Sequence, residues 1–104
     1  MQQGVFRAFL ITIGRKTGKS HSVQLRAVSY NDMVYFSRRN KNSDWLKNAL
    51  ENERVKVDFD GHTHEGVASL VTDEVLAKKI SRLKYPGEER ASEVRIVLQV
   101  KLTN

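Results

Sequence analysis

The 104-residue chain has no cysteine, one proline, and very little acid in its first half. Without cysteine there is no disulfide framework, no thiolate metal site and no cysteine nucleophile, so any redox chemistry needs a borrowed cofactor. No apolar run approaches the length of a membrane-spanning helix, and 39% hydrophobic residues is ordinary for a globular domain. The opening stretch "MQQGVFRAFLITIG" carries Arg7 inside its apolar run and lacks a small-residue cleavage site, so it reads as a strand and not a signal peptide. A cytoplasmic location is the expectation from that, together with one domain spanning 1–104.

Acids are scarce where cations are dense. The net charge is +6, and before Glu51 the only acids are Asp32 and Asp44. Arg15, Lys16 and Lys19 fill one short stretch, and Arg38, Arg39 and Lys41 another. Two separate basic loops give the first half an attraction for anions, although single surface lysines and arginines usually serve solubility alone.

The hydrophobic pattern is mostly of period two. "VFRAFLITI" predicts a largely buried strand stopped by Gly14, and "HSVQLRAVSY" sets Val23, Leu25 and Ala27 against Gln24 and Arg26. Asn31 and Asp32 turn the chain into "MVYFS". "RVKVDFDGHTHEGVASLV" reads as two strands around an Asp60-Gly61 turn, with Val55, Val57 and Phe59 inward and a bulge at Gly66. The last strand alternates Val94, Ile96, Leu98, Val100 and Leu102 against a wet face. Two segments have helical spacing instead. One runs from about Ser43 to Asn52, capped by Asn42 or Ser43, with Trp45, Leu46, Ala49 and Leu50 on one face. The other opens at Thr72 as N-cap, stripes Val75, Leu76, Ile80 and Leu83, and ends at Pro86-Gly87. Six strands joined by short turns, with too few helices for βαβ crossovers, predict a mainly β (α+β) chain. Its sheet is antiparallel and curls into a small barrel that the two helices plug or flank.

"GRKTGK" is not a Walker loop, because a strand follows it where a phosphate-facing helix is required. Its glycines allow Arg15, Lys16, Thr17 and Lys19 to converge on one point. Two readings stand: a basic hairpin turn or an anion site. The second basic loop, "SRRNKNSDW", precedes a helix start whose free amides add to such a site. Trp45 fits either the core or a cofactor platform. His62 and His64 share a strand face but have no evident third ligand, so no metal is expected. No carboxylate pair or serine–histidine–aspartate set stands out, which argues against a self-sufficient hydrolase.

In order, "FLITIGRKTGKSHSVQL", "SDWLKNALENERVKVDFDG", "TDEVLAKKISRLKYPG" and "VLQVKL" resemble the deazaflavin-dependent nitroreductase family over nearly the whole chain. The resemblance implies a flavin-binding split β-barrel like that of the pyridoxamine 5'-phosphate oxidases. It also implies coenzyme F420, a deazaflavin with a phosphate and a polyglutamate tail, which passes a hydride to a small nitro- or enone-type acceptor. On this resemblance Arg15, Lys16, Thr17 and Lys19 match the tail-binding loop, and Val23 and Leu25 lie on the strand set against the ring. Ser37, Arg38, Arg39 and Asn40 take the place of the loop beside the ring, and Trp45 joins the cofactor-binding set. Tyr85 is the one candidate proton donor on the substrate side. His21 stands where the family has arginine, Gln24 and Glu53 where it has proline, and Arg38 to Asn40 where it carries glycine. FMN is the alternative cofactor, since a phosphate in a basic loop and a ring on a strand serve both. A basic nucleic-acid-binding barrel, with Tyr30 or Tyr35 as exposed aromatics, is the reading from another class. The resemblance further implies a homodimer.

Overall fold

The computed structural model describes residues 3–38, 42–89 and 95–103. The chain runs β1 (Gly4–Ile13), β2 (Ser20–Tyr30), β3 (Met33–Arg38), α1 (Asp44–Glu51), β4 (Arg54–Phe59), β5 (His62–Leu70), α2 (Glu74–Lys84) and β6 (Ile96–Leu102). Every pairing is antiparallel, and the order β1-β2-β3-β6-β5-β4 closes on itself through β1 and β4. This is the barrel expected from the strand count. The turns are those the sequence signals: Asn31, Asp32 and Asp60 all take positive φ, as does Gly61, the signature of tight hairpins with the twist of their strands.

The barrel interior and its outer flank form two separate cores. Leu10, Ala27, Val34, Phe36, Val57, Leu98 and Val100 point inward, and Trp45, Leu46 and Ala49 of α1 plug one end. Outside, α2 lays Ala77 and Ile80 over Val28, Tyr35 and Val97 of β2, β3 and β6. The Tyr35 hydroxyl donates to Gln99 Oε1 at 3.1 Å. Burial, with Tyr30 adding to it, raises its pKa above the usual 10.0, so alkaline pH beyond that value weakens the fold.

Several details differ from the sequence reading. β1 is not buried throughout but alternates, with Ala8, Leu10 and Thr12 inside and Val5 and Phe9 each 44% exposed. Leu50 and Val75 lie off the buried helix faces, at 49% and 74% exposure. Their places are taken by Asn48 on α1 and by Ala77, Ser81 and Lys84 on α2. The N-cap of α2 is Asp73 and not Thr72; its carboxylate accepts from the amides of Val75 at 2.9 Å and Leu76 at 3.4 Å. β6 has no fully wet outer face, because α2 covers Val97. Val94 lies outside the described residues.

Gly66 makes no bulge. Its register is unbroken on both sides, against Val55 and Leu102. Its reason is proximity: a Cβ there would stand 2.6 Å from Val100 Cγ1 and 3.1 Å from the Lys101 carbonyl. Gly66→Ala should therefore cost about 1–3 kcal/mol of stability through overpacking. Urea unfolding checks this, with Gly4→Ala as control, since a Cβ at Gly4 meets nothing within 4 Å.

Candidate functional site

Antiparallel alternation brings the end of β1, the start of β2, the end of β3 and the start of β6 to one end of the barrel. The first basic loop and Ser37-Arg38 therefore share that end, and α1 closes it from within. Arg38 Nε donates to Ser43 Oγ at 2.7 Å, which ties the end of β3 directly to the start of α1. Ser43 holds the N-cap position, but its side chain makes no capping bond, the hydroxyl being committed to Arg38. Arg39, Asn40 and Lys41 lie outside the described residues.

Between the basic loop and α1 lies a cleft of about 370 Å³. One wall is Gly14, Arg15, Lys16 and Thr17, another is His21, Ser22 and Val23, and the floor is Trp45 and Asn48 of α1. Gly18 takes φ +71°, and its amide donates to the Gly14 carbonyl at 2.9 Å, while the Gly14 amide donates to the Lys19 carbonyl at 2.7 Å. These bonds hold the loop as a tight turn. Gly14 serves a different purpose: a Cβ would stand 2.6 Å from His21 Nε2 and 2.9 Å from Thr17 Oγ1, so only glycine lets the imidazole and hydroxyl close on the backbone.

The four loop residues do not converge as a set. Lys16 and Thr17 line the cleft, and Lys19 does not. Arg15 also borders it but is turned onto α1. Its Nη1 donates to Asn48 Oδ1 at 2.8 Å, its backbone amide donates to the same oxygen at 3.3 Å, and its Nη2 pairs with Asp44 at 3.4 Å. Asn48 in turn donates from Nδ2 to the buried Thr12 Oγ1 at 3.3 Å. Asn48 is thus a buried hub that fixes the root of the loop to both the barrel and the helix. Sequence reasoning missed Asn48 and Thr12 as site residues. The available signal was a polar side chain on an otherwise apolar helix face and a threonine in the inward row of β1.

Trp45 belongs to the core, 8% exposed and edge-on to Phe36 at 6.3 Å, and one of its sides borders the cleft. Val23 lines the cleft, whereas Leu25, two residues on, packs against the barrel core and is not part of the cleft wall. His64 stacks on Phe59 at 4.7 Å, and among the described residues no group of three potential metal ligands comes together.

Tyr85 stands apart from the cleft. It is buried beyond the end of α2, with Arg95, Lys84 and Arg26 lying 5.1, 5.4 and 5.6 Å from its ring centre. Lys84, only 8% exposed, donates from Nζ to Ser37 Oγ at 3.0 Å and to the Ser37 carbonyl at 3.3 Å. Lys84 and Arg26 escaped notice because a lysine in a last helical turn and an arginine on an outer strand face look like ordinary solvated charges.

The site fits a ligand with an anionic arm and a flat ring. Lys16 and Thr17 suit the arm, and Val23 and the Trp45 face suit the ring. A search of the curated proteins finds no match to this sequence. Among solved structures, a chain described as a domain-swapped dimer superposes with a TM-score of 0.72 at 20% identity, covering 90% of this chain and 78% of its own. An F420-H2 dependent reductase gives 0.69 at 20% identity, covering 90% and 92%. A candidate pyridoxamine 5'-phosphate oxidase from Listeria innocua gives 0.69 at 19% identity, covering 94% and 84%. At these identities the likeness fixes the fold alone, a split β-barrel. The family follows from the sequence itself: the pattern of the F420H(2)-dependent quinone reductases matches residues 2–103, and the chain belongs to that family.

Proposed function

We propose that the barrel end binds reduced F420, with the polyglutamate arm on the loop from Gly14 to Lys19 and the ring between Val23 and the Ser37-Arg38 end of β3. The observation that carries this reading is the cleft itself, basic on its loop wall and apolar where Val23 and Trp45 meet. When bound, the deazaflavin supplies the hydride chemistry. The protein's residues bind, orient and exclude water. Lys16 and Thr17 hold charge, Asn48 and Arg15 keep the loop in register, and α1 closes the barrel behind the ring. His21 on the cleft wall is a further contact for the anionic arm, and Lys19, outside the lining, adds its charge from the same turn. The acceptor is a small quinone, enone or nitro compound reached from the side of Tyr85.

Titration with F420 and, in parallel, with FMN tests the assignment, following quenching of Trp45, the single tryptophan. Saturation by F420 with no response to FMN is the expected result. Saturation by FMN alone would move the chain to the FMN reading, and binding by neither would overturn the site. Binding that collapses steeply between low and moderate salt for any polyanion, duplex DNA included, would instead favour the nucleic-acid reading. The protein is expected to be a homodimer, and one structural neighbour is described as a domain-swapped dimer; light scattering measures this, and a monomer at high concentration would refute it.

A further inference from the structure

The barrel is covered unevenly on its outside. α2 lies over Val28, Tyr35 and Val97 of β2, β3 and β6, while Phe9 of β1, 44% exposed, and Val67 of β5, 38% exposed, stay bare. β1 and β4 also part on that bare side. Their pairing runs Phe9↔Asp58, Leu10↔Val57 and Ile11↔Lys56 and then stops, and the gap beyond Ile11 is a groove of about 410 Å³. Ile11, Ile13 and Val67 give it an apolar lining, and Glu53, Arg54, Lys56 and Glu65 a charged one. This groove is not the cleft at the basic loop. Ile11, Ile13 and Ser20 border the groove, whereas Thr12, Gly14 and His21 border the cleft, so alternation puts the two on opposite faces of the β1–β2 ribbon.

An exposed aromatic ring beside an apolar groove on the same face is self-complementary, because a two-fold axis can put each ring into the other copy's groove. We propose that this face docks a second copy of the chain, β1 lying antiparallel over β1, with Phe9 of each copy seated at Ile13 and Val67 of the other. The axis lies between the two faces and crosses β1 at Ile11, which sends position 9 of one copy onto position 13 of the second. Sheets packed face to face stand about 10 Å apart, a gap that a phenylalanine from one side and an isoleucine from the other fill.

The charges agree with this arrangement. Asp58 stands opposite Phe9, and carrying the β1–β4 register on by two residues sets Arg54 level with Ile13, so each Asp58 faces the second copy's Arg54. Lys56 falls near the axis and meets its own copy there, but Glu65 stands opposite it within each chain and offsets the repulsion. Arg54, Lys56, Lys101 and Arg7 stand against Glu53, Asp58 and Glu65 around the patch. A face of such mixed sign suits its own copy better than an anionic lipid surface, which selects for cations alone. Because the cleft lies on the other face of the ribbon, the proposal does not depend on the F420 reading.

Sedimentation velocity of the whole chain over a wide concentration range is the test. Wild type should be a dimer that dissociates on dilution. Phe9→Lys and Val67→Glu should each weaken dimerisation about 30-fold or more, as loss of a central anchor does. Both put the new charge opposite a counter-charge of the same chain, Asp58 and Arg54, so far-UV circular dichroism should not change. Asp58→Arg and Arg54→Glu should each weaken the dimer, and the two together should restore it. The chain has no cysteine, so Ile11→Cys gives a single thiol; a short bis-maleimide should join two such chains and should not join chains carrying Val75→Cys, 74% exposed on α2. A wild type that is monomeric at every concentration would overturn the proposal. So would a dimer that Phe9→Lys leaves intact, or a monomer that uses Phe9 to bind phosphatidylglycerol vesicles instead.

Discussion

Replacing Asn48 by alanine should lower the stability of the fold by about 2 kcal/mol, because it removes a buried side chain and takes a hydrogen-bond partner from three other groups. Thr12 Oγ1 loses its donor, and the Arg15 guanidinium and backbone amide lose their shared acceptor. Urea unfolding gives the size of the effect, and F420 titration of the folded variant gives its consequence, an affinity roughly tenfold weaker as the loop root loosens. Asp44→Ala is the informative comparison. Asp44 touches the same arginine at 3.4 Å, but its side chain is 85% exposed, so its removal should change stability by less than about 0.5 kcal/mol. If both substitutions had equal effect, Arg15 would be held by charge and not by the buried amide.

The second large effect concerns the anionic arm. The double substitution Lys16→Ala with Lys19→Ala should weaken F420 about 100-fold at low ionic strength. The loss should shrink as salt is added. Lys16 lines the cleft and Lys19 does not, so the single Lys16 variant should carry the larger share. A deazaflavin stripped of its phosphate and polyglutamate arm should lose less than about threefold, because the ring contacts proposed at Val23 and Trp45 are untouched. An equal loss for both ligands would mean that the lysines support the loop's shape and do not hold the arm. His21→Arg, which puts a fixed cation on the same wall, should tighten F420 about threefold in the same assay.

The strands were legible in the sequence because period-two alternation and the Asn31-Asp32 and Asp60-Gly61 turns are local signals that burial later reinforces. Helix faces were less so. Spacing places Leu50 and Val75 on apolar stripes, but a short helix against a curved barrel buries a narrower face, and Asn48 and Lys84 fall within it instead. Thr72 and Asp73 both satisfy a capping pattern, and only the backbone path chooses the aspartate. The basic loop could be read as an anion site, but not the turning of Arg15 onto a side chain 33 residues away. Contacts of that range carry no local trace. Lys84 shows the same limit: what makes it unusual is its bond to Ser37, 47 residues away, and that contact belongs to the barrel and not to the segment.

The strand order also sets when the protein can protect itself during synthesis. Of the six strands β6 is made after the other five, yet it sits between β3 and β5 and pairs with both. Until Ile96–Leu102 has left the ribosome, those two strands each present an open edge, and α2, already made, has no Val97 to pack on. A nascent chain stopped short of β6 is therefore a pair of unfinished edges that invites pairing with other chains. This seven-residue strand is the piece that turns a sticky sheet into a closed one.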